Sequence, residues 1–308
     1  MKLAIPDLVS NSYFPAVAAV ALKHFAAEGL DVELTTIFPV DAAYRALRDR
    51  SVDFVGASAH AALAAFPEWD GVRLLCAQGQ GMYWFLVMHT DFGATRGDLD
   101  VVKGRRIGAA PWVDMGLRQM LAEAGIDAER DAVHIAPVPA APGSGINFGL
   151  TAARALEERT IDGFWANGMA AEVAVQRGIG TVVADVRRGD GPPGAFDFTF
   201  SALATTERLV RDSPDAAAAA VRAIAATHSA LTKNPDLAAD VGRALFPDAE
   251  AALIADLVRR DVPFYDSSIS RASVDSLNRF ARNVGILKSN VPFEHVVATR
   301  VAPTTPSA

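Results

Sequence analysis

The sequence predicts an α/β fold in two lobes, with mixed, mainly parallel sheets, helices on both faces and a ligand cleft between the lobes. Three observations carry this. Strand-length apolar runs alternate with helical stretches along residues 1–80, and do so again along 106–186. That alternation calls for a mainly parallel sheet covered by helices on both faces. After residue 205 the chain reads as almost all helix, so one lobe opens the chain, a second is inserted, and C-terminal helices complete the first. The strands also end in small or polar residues, where open α/β sheets place their ligands.

The stretch Phe54–Gln80 shows the pattern most clearly: a short apolar run, the small residues Gly56 to Ala59, a helical turn carrying His60, the Asp70-Gly71 turn, and a second buried run ending at Gln78-Gly79-Gln80. Before it, Lys2 to Ile5 reads as a strand stopped by Pro6. Residues 13–28 read as one helix with Phe14, Val17, Ala21, Leu22 and Phe25 on a single face, ended by Gly29. Asp31 to Ile37 alternates as a strand, and Asp41 reads as the cap of a short helix. Beyond the Trp84–Met88 run, strands are expected at 106–109, 133–138, 163–165 and 181–186. Helices are expected from Asp114 as cap, at 151–159 and after Gly168, with a Gly/Pro loop over 139–149. Phe196 to Leu203, with Phe196, Phe198 and Phe200 alternating, reads as a strand returning to the first lobe. Ser213-Pro214 starts a long helix, proline being suited to a first helical position. The boundaries that follow are 1–88 with 200–300 for lobe one, 89–199 for lobe two, and a frayed tail over 301–308.

Composition narrows the function. A chain of 308 residues, 51% hydrophobic, buries a full core and has the length of about two domains. The net charge is −7 and there is no Lys/Arg block, which argues against nucleic acid and anionic membrane as partners. The single cysteine, Cys76, sits in an apolar strand, so an intrachain disulfide and a cysteine-built metal site are excluded. No apolar stretch has the length of a membrane span, so membrane insertion is not expected. Lys2 passes directly into a strand and shows no secretory leader. The location is therefore expected to be cytoplasmic for the chain as written, or periplasmic if a leader has been removed.

Several segments resemble a known group: Gly29-Leu30-Asp31-Val32-Glu33-Leu34; Arg45-Ala46-Leu47 with Val52-Asp53-Phe54-Val55-Gly56; Leu99 to Gly108; and Ala155-Leu156-Glu157-Glu158 with Ile161-Asp162-Gly163-Phe164. In these the chain resembles the type II periplasmic-binding-protein fold. Within it, the likeness is to the nitrate/sulfonate/taurine and thiamine-pyrimidine-precursor solute-binding group. The resemblance implies a small-molecule ligand, capture by lobe closure, no cofactor, and an ABC permease as partner. It also admits enzymes of the same fold, such as dihydroxyphthalate decarboxylase-like proteins and the fungal pyrimidine synthase.

Candidate ligand contacts come from loops at strand ends. In the first lobe these are Asn11, Tyr13, Phe38, Ser58, His60, Gln78 and Gln80. In the second they are Trp112, Asp114, Asn147, Phe148, Trp165 and Asn167. Aromatic walls with a few hydrogen-bonding tips suit a small-ligand pocket. Each residue has a plainer reading: Trp112 as core, Asp114 as a helix cap, His60 bonded to a carbonyl, Asn167 as a turn residue, Asn147 and Phe148 facing solvent. No Arg or Lys stands in these loops to pair with a sulfonate, and Asp114 would repel one. The expected ligand is therefore a neutral or weakly charged aromatic or heteroaromatic molecule. The six histidines form no metal pair, and neither a GxSxG elbow nor a phosphate loop is present. The alternative is a metal-free enzyme acting on a small aromatic carboxylate or pyrimidine, with His60 or Asp114 as proton donor.

Overall fold

The computed structural model describes residues 1–138 and 148–301. The chain divides into two compact units, one of residues 1–80 with 199–301 and the other of residues 81–198. The first contains strands β1 (Lys2–Ile5), β2 (Glu33–Thr36), β3 (Phe54–Ser58) and β4 (Val72–Gly79). The second contains β5 (Phe85–His89), β6 (Arg106–Ala109), β7 (His134–Ala136), β8 (Gly163–Ala166) and β9 (Gly180–Asp185). The last strand, β10 (Ser201–Thr206), belongs to the first unit.

The first sheet has the order β2-β1-β3-β10-β4. β1 runs parallel to β2 and β3, and β10 lies antiparallel between β3 and β4. Leu3, Ile5, Phe54, Leu74 and Leu203 are fully buried, as expected of strands covered on both faces. The second sheet repeats the plan as β7-β6-β8-β5-β9. β6 is parallel to β7 and β8, and β5 is antiparallel between β8 and β9. In each sheet the antiparallel member is the strand that follows a passage of the chain from one unit to the other. Residues 81–88, assigned from sequence to the first lobe, belong to the second unit because β5 pairs there with β8 and β9.

Two further sequence expectations are corrected. The helix over 13–28 is three pieces: a 3₁₀ turn Asn11–Tyr13, a helix Phe14–Ala21, and a short helix His24–Ala27. Lys23 adopts a left-handed conformation at the break, and Phe25 turns into the core beyond it. The strand expected over 196–203 forms only from Ser201 onward, and Ala195–Phe198 form a 3₁₀ turn. The reason is local packing: the Phe196 carbonyl accepts from the Met82 N–H at 2.7 Å, and its ring covers Gly81 so closely that a Cβ there would lie 2.1 Å from it. The expected loop over 139–149 lies largely outside the described residues, as does 302–308 of the expected tail.

The second unit's core gathers Phe85, Val87, Leu156, Phe164 and Ala170, with Phe148 packed against it. Gly163 opens β8 beside this core. A Cβ there would meet the Val87 carbonyl oxygen at 2.7 Å and the Met88 sulfur at 2.3 Å. Backbone cannot yield as a flexible side chain does, so Gly163→Ala is expected to push β8 from β5 and cost about 1–3 kcal/mol. Urea unfolding of the variant checks this, and an unchanged midpoint would refute it. No helix among the described residues is long and apolar enough to cross a membrane.

Candidate functional site

The carboxyl ends of β1 and β3 and the start of β10 meet at one end of the first sheet, since Ser201 pairs with Ser58 on one side and Gly79 on the other. The strands end there because polar residues follow each apolar run: Asp7 to Ser12 after β1, and Ser58 with His60 at the end of β3. Asp7, Ser12, Ser58 and Ser201 are all buried. Asp7 Oδ1 accepts from the Val9 N–H at 3.1 Å. Its Oδ2, and the hydroxyls of Ser12, Ser58 and Ser201, have no hydrogen-bond partner among the described residues. Burial pushes the Asp7 carboxyl up to about 7, against the Val9 hydrogen bond, and no ion-pair partner for it exists among the described residues. Buried polar atoms are normally paired, so a group of four that are not calls for a physical reason.

The other predicted residues of this unit are placed as follows. Asn11 donates through Nδ2 to Asp261 Oδ2 at 2.6 Å, both residues being buried. Tyr13 is buried at the end of the 3₁₀ turn and Phe38 is half-buried after β2. His60 is fully buried, with Nδ1 3.0 Å from Thr199 Oγ1 and its ring edge-on to Phe280. Gln78 accepts from the Ala16 N–H through Oε1 and donates through Nε2 to the Ala202 carbonyl, so it ties the first helix to β10. Gln80 donates to the carbonyls of Asp266 and Ser268 and ties that segment to β4. Ser58 Oγ and His60 do not form a hydrogen-bonded dyad, because the hydroxyl has no partner among the described residues.

In the second unit, Trp112 is half-buried and holds a left-handed backbone, φ 71°, between β6 and the helix Asp114–Glu123. Asp114 is not that helix's cap. Val113 occupies the cap position, and Asp114 stands one residue inside, paired with Arg118 at 2.8 Å. There the carboxylate suits the helix dipole and meets the residue four positions on. Trp165 is fully buried and donates from Nε1 to the Val113 carbonyl at 3.0 Å. Its ring continues a row begun by Tyr83 and Trp84, with centroids 4.8 and 6.0 Å apart. Asn167 caps the helix Gly168–Gln176, accepting from the Ala170 N–H. Asn147 lies outside the described residues. In a groove of about 430 Å³ near Arg118, Ile126 and Arg130, both arginines are already engaged, Arg118 by Asp114 and Arg130 by Asp131.

Sequence reading passed over Asp7, Ser12 and Ser201. Asp7 and Ser12 sit in a turn-rich stretch, where such residues are ordinary. Ser201 lies beside Ser58 only because β10 inserts between β3 and β4. It also missed His228, which is buried, donates from Nε2 to the Gln78 carbonyl at 2.9 Å, and stacks on Tyr265 at 5.1 Å between centroids. Burial lowers its pKa to about 4. No group of side chains suited to a metal ion occurs among the described residues. Burial pushes the Cys76 thiol up, which keeps it an inert core group.

Comparison with known proteins places the fold. No protein-family model and no curated protein matches the chain. Solved structures do. A protein of Bordetella bronchiseptica RB50 is 19% identical with a TM-score of 0.73, covering 98% of this chain and 93% of its own. The alkanesulfonate-binding protein SsuA of Xanthomonas axonopodis pv. citri, bound to MOPS, is 11% identical with a TM-score of 0.72, covering 98% of this chain and 97% of its own. The periplasmic nitrate-binding protein NrtA of Synechocystis PCC 6803 is 13% identical with a TM-score of 0.69, covering 97% of this chain and 84% of its own. The chain has the periplasmic-binding-protein fold, two open mixed sheets with helices around them.

Proposed function

We propose that this chain is a solute-binding protein of an ABC-type importer, and that it holds a small aromatic or heteroaromatic molecule at the strand ends of its first unit. One observation carries the reading: the buried residues Asp7, Ser12, Ser58 and Ser201, whose Oδ2 and hydroxyl oxygens lack partners among the described residues near the end of the sheet where α/β proteins bind ligands. Leaving such atoms unpaired costs about 1–3 kcal/mol each, a cost that a ligand's own hydrogen bonds offset. Tyr13 and Phe38, which follow β1 and β2, supply flat apolar surface in this reading. The fold is shared with proteins named for binding alkanesulfonate and nitrate, which supports solute binding as the class. A ligand at about one hundred times its Kd should add about 2.7 kcal/mol of stability. Thermal-shift screening against amines, pyrimidines, aromatic acids and sulfonates tests the proposal, and the best compound is then recovered and weighed by mass spectrometry. Binding with an unchanged mass is expected. A changed mass would establish catalysis instead, and the absence of any binding compound would reject solute binding.

A further inference from the structure

Ser58 and Ser201 are direct partners across the antiparallel β3/β10 pair, so their side chains leave the same face of the sheet. Gly56, two residues earlier in β3, shares that face. A Cβ on Gly56 would touch the Gln78 side chain, Ala16 and Ile5, so the helix Phe14–Ala21 lies over this face. Ser12 sits in the 3₁₀ turn that leads into that helix. β1 lies beside β3, Leu3 pairing with Phe54 and Ala4 with Val55, and Asp7 follows two residues after β1 ends at Ile5. Four buried polar groups therefore come from the segments at the carboxyl ends of β1 and β3, the start of β10 and the turn that leads into the covering helix. Three are hydroxyls, which donate or accept as needed. The fourth is the carboxyl of Asp7, a residue 4% exposed, whose Oδ2 has no hydrogen-bond or ion-pair partner among the described residues.

When ionised, Asp7 only accepts hydrogen bonds and repels an anion, and a cationic partner beside it favours that ionised form over the protonated one that burial favours. Asp7 thus sets the polarity of the place. We infer that the molecule bound here carries a cationic nitrogen donor, an ammonium, an amidinium or a protonated amino-heterocycle, which Asp7 receives while the Ser12, Ser58 and Ser201 hydroxyls orient it. Such a group meets Asp7 Oδ2 with a charge-assisted hydrogen bond and leaves further N–H donors for the serines. This rests on the solute-binding reading above and separates the chain from alkanesulfonate- and nitrate-binding proteins of the same fold, whose ligands are anions.

Ring-matched probes test it: benzylamine, benzamidine and 4-aminopyridine as cations, benzyl alcohol as a neutral control, and benzenesulfonate as an anion. Each is titrated calorimetrically into the full chain, wild type and Asp7→Asn. The cations should bind at least tenfold more tightly than benzyl alcohol, and benzenesulfonate should not bind. Asp7→Asn should weaken the cations at least tenfold while remaining folded by circular dichroism. Ser58→Ala and Ser201→Ala should each weaken them by a smaller factor, which gives a second reading if the aspartate variant misfolds. Equal or tighter benzenesulfonate binding, or cation binding unchanged in Asp7→Asn, would overturn the inference and leave solute binding standing. Failure of every compound, these probes and the wider screen together, would remove both.

Discussion

Replacing Asp7 by Asn is expected to stabilise the ligand-free chain at pH 8, by up to about 4 kcal/mol. The number follows from the carboxyl's displacement by burial, from 3.8 to about 7, at about 1.36 kcal/mol for each unit of pKa. Its sign follows from proton linkage. Between pH 3.8 and 7 the folded chain keeps the Asp7 proton while the unfolded chain loses it, so stability declines as pH rises through that window. Above pH 7 the penalty is complete, and below 3.8 it is absent. Asn carries no charge to bury, so the variant's advantage should vanish near pH 3.5 and be full near pH 8. Urea unfolding of both proteins at the two pH values measures it. An Asp7→Asn chain that is less stable than wild type at pH 8 would show that the carboxylate has a stabilising partner. A residue that costs stability when the site is empty is what a binding function would retain.

His228 should impose the opposite slope. Its pKa is lowered from 6.5 to about 4, first because burial disfavours the charged ring, and in spite of the hydrogen bond to the Gln78 carbonyl. Between pH 6.5 and 4 the unfolded chain takes up the proton and the folded chain does not. Stability is therefore lost as pH falls through that window, by about 3 kcal/mol. His228→Gln keeps an N–H for the Gln78 carbonyl and removes the titration. The two windows nearly coincide and their signs oppose, so the wild-type profile between pH 4 and 7 should be flatter than either single variant's. Asp7→Asn should gain stability with rising pH, and His228→Gln should lose it. Two single variants with parallel profiles would refute both assignments.

Much of the fold was readable from local pattern. The alternation of apolar runs with helical stretches over residues 1–80 and 106–186 corresponds to strands β1–β4 and β6–β9. Pro214 opens the long helix Pro214–Lys233, as its missing N–H suggests it should. What local pattern could not show is pairing across distance. β10 inserts between β3 and β4 although more than a hundred residues separate it from both, and the aromatic run before it packs as a 3₁₀ turn because Phe196 must cover Gly81. The candidate site was less readable still. Gln78 and Gln80 look like free hydrogen-bonding tips in sequence, yet their amides brace Ala16, Ala202, Asp266 and Ser268. Trp165 and Asn167 likewise hold the Val113 carbonyl and a helix start.

The architecture was legible in local pattern alone: an α/β chain in which a second α/β unit interrupts the first, with polar residues where the strands stop. Hydrophobic periodicity specifies which segments become strands and helices, because it is a local property of the chain. What needed the folded molecule is the burial of Asp7, Ser12, Ser58 and Ser201 with polar atoms that have no hydrogen-bond partner among the described residues. Whether a polar side chain faces water or is cut off from it depends on neighbours brought in from far along the chain, and burial is what turns an ordinary turn aspartate into a group with an unmet hydrogen bond.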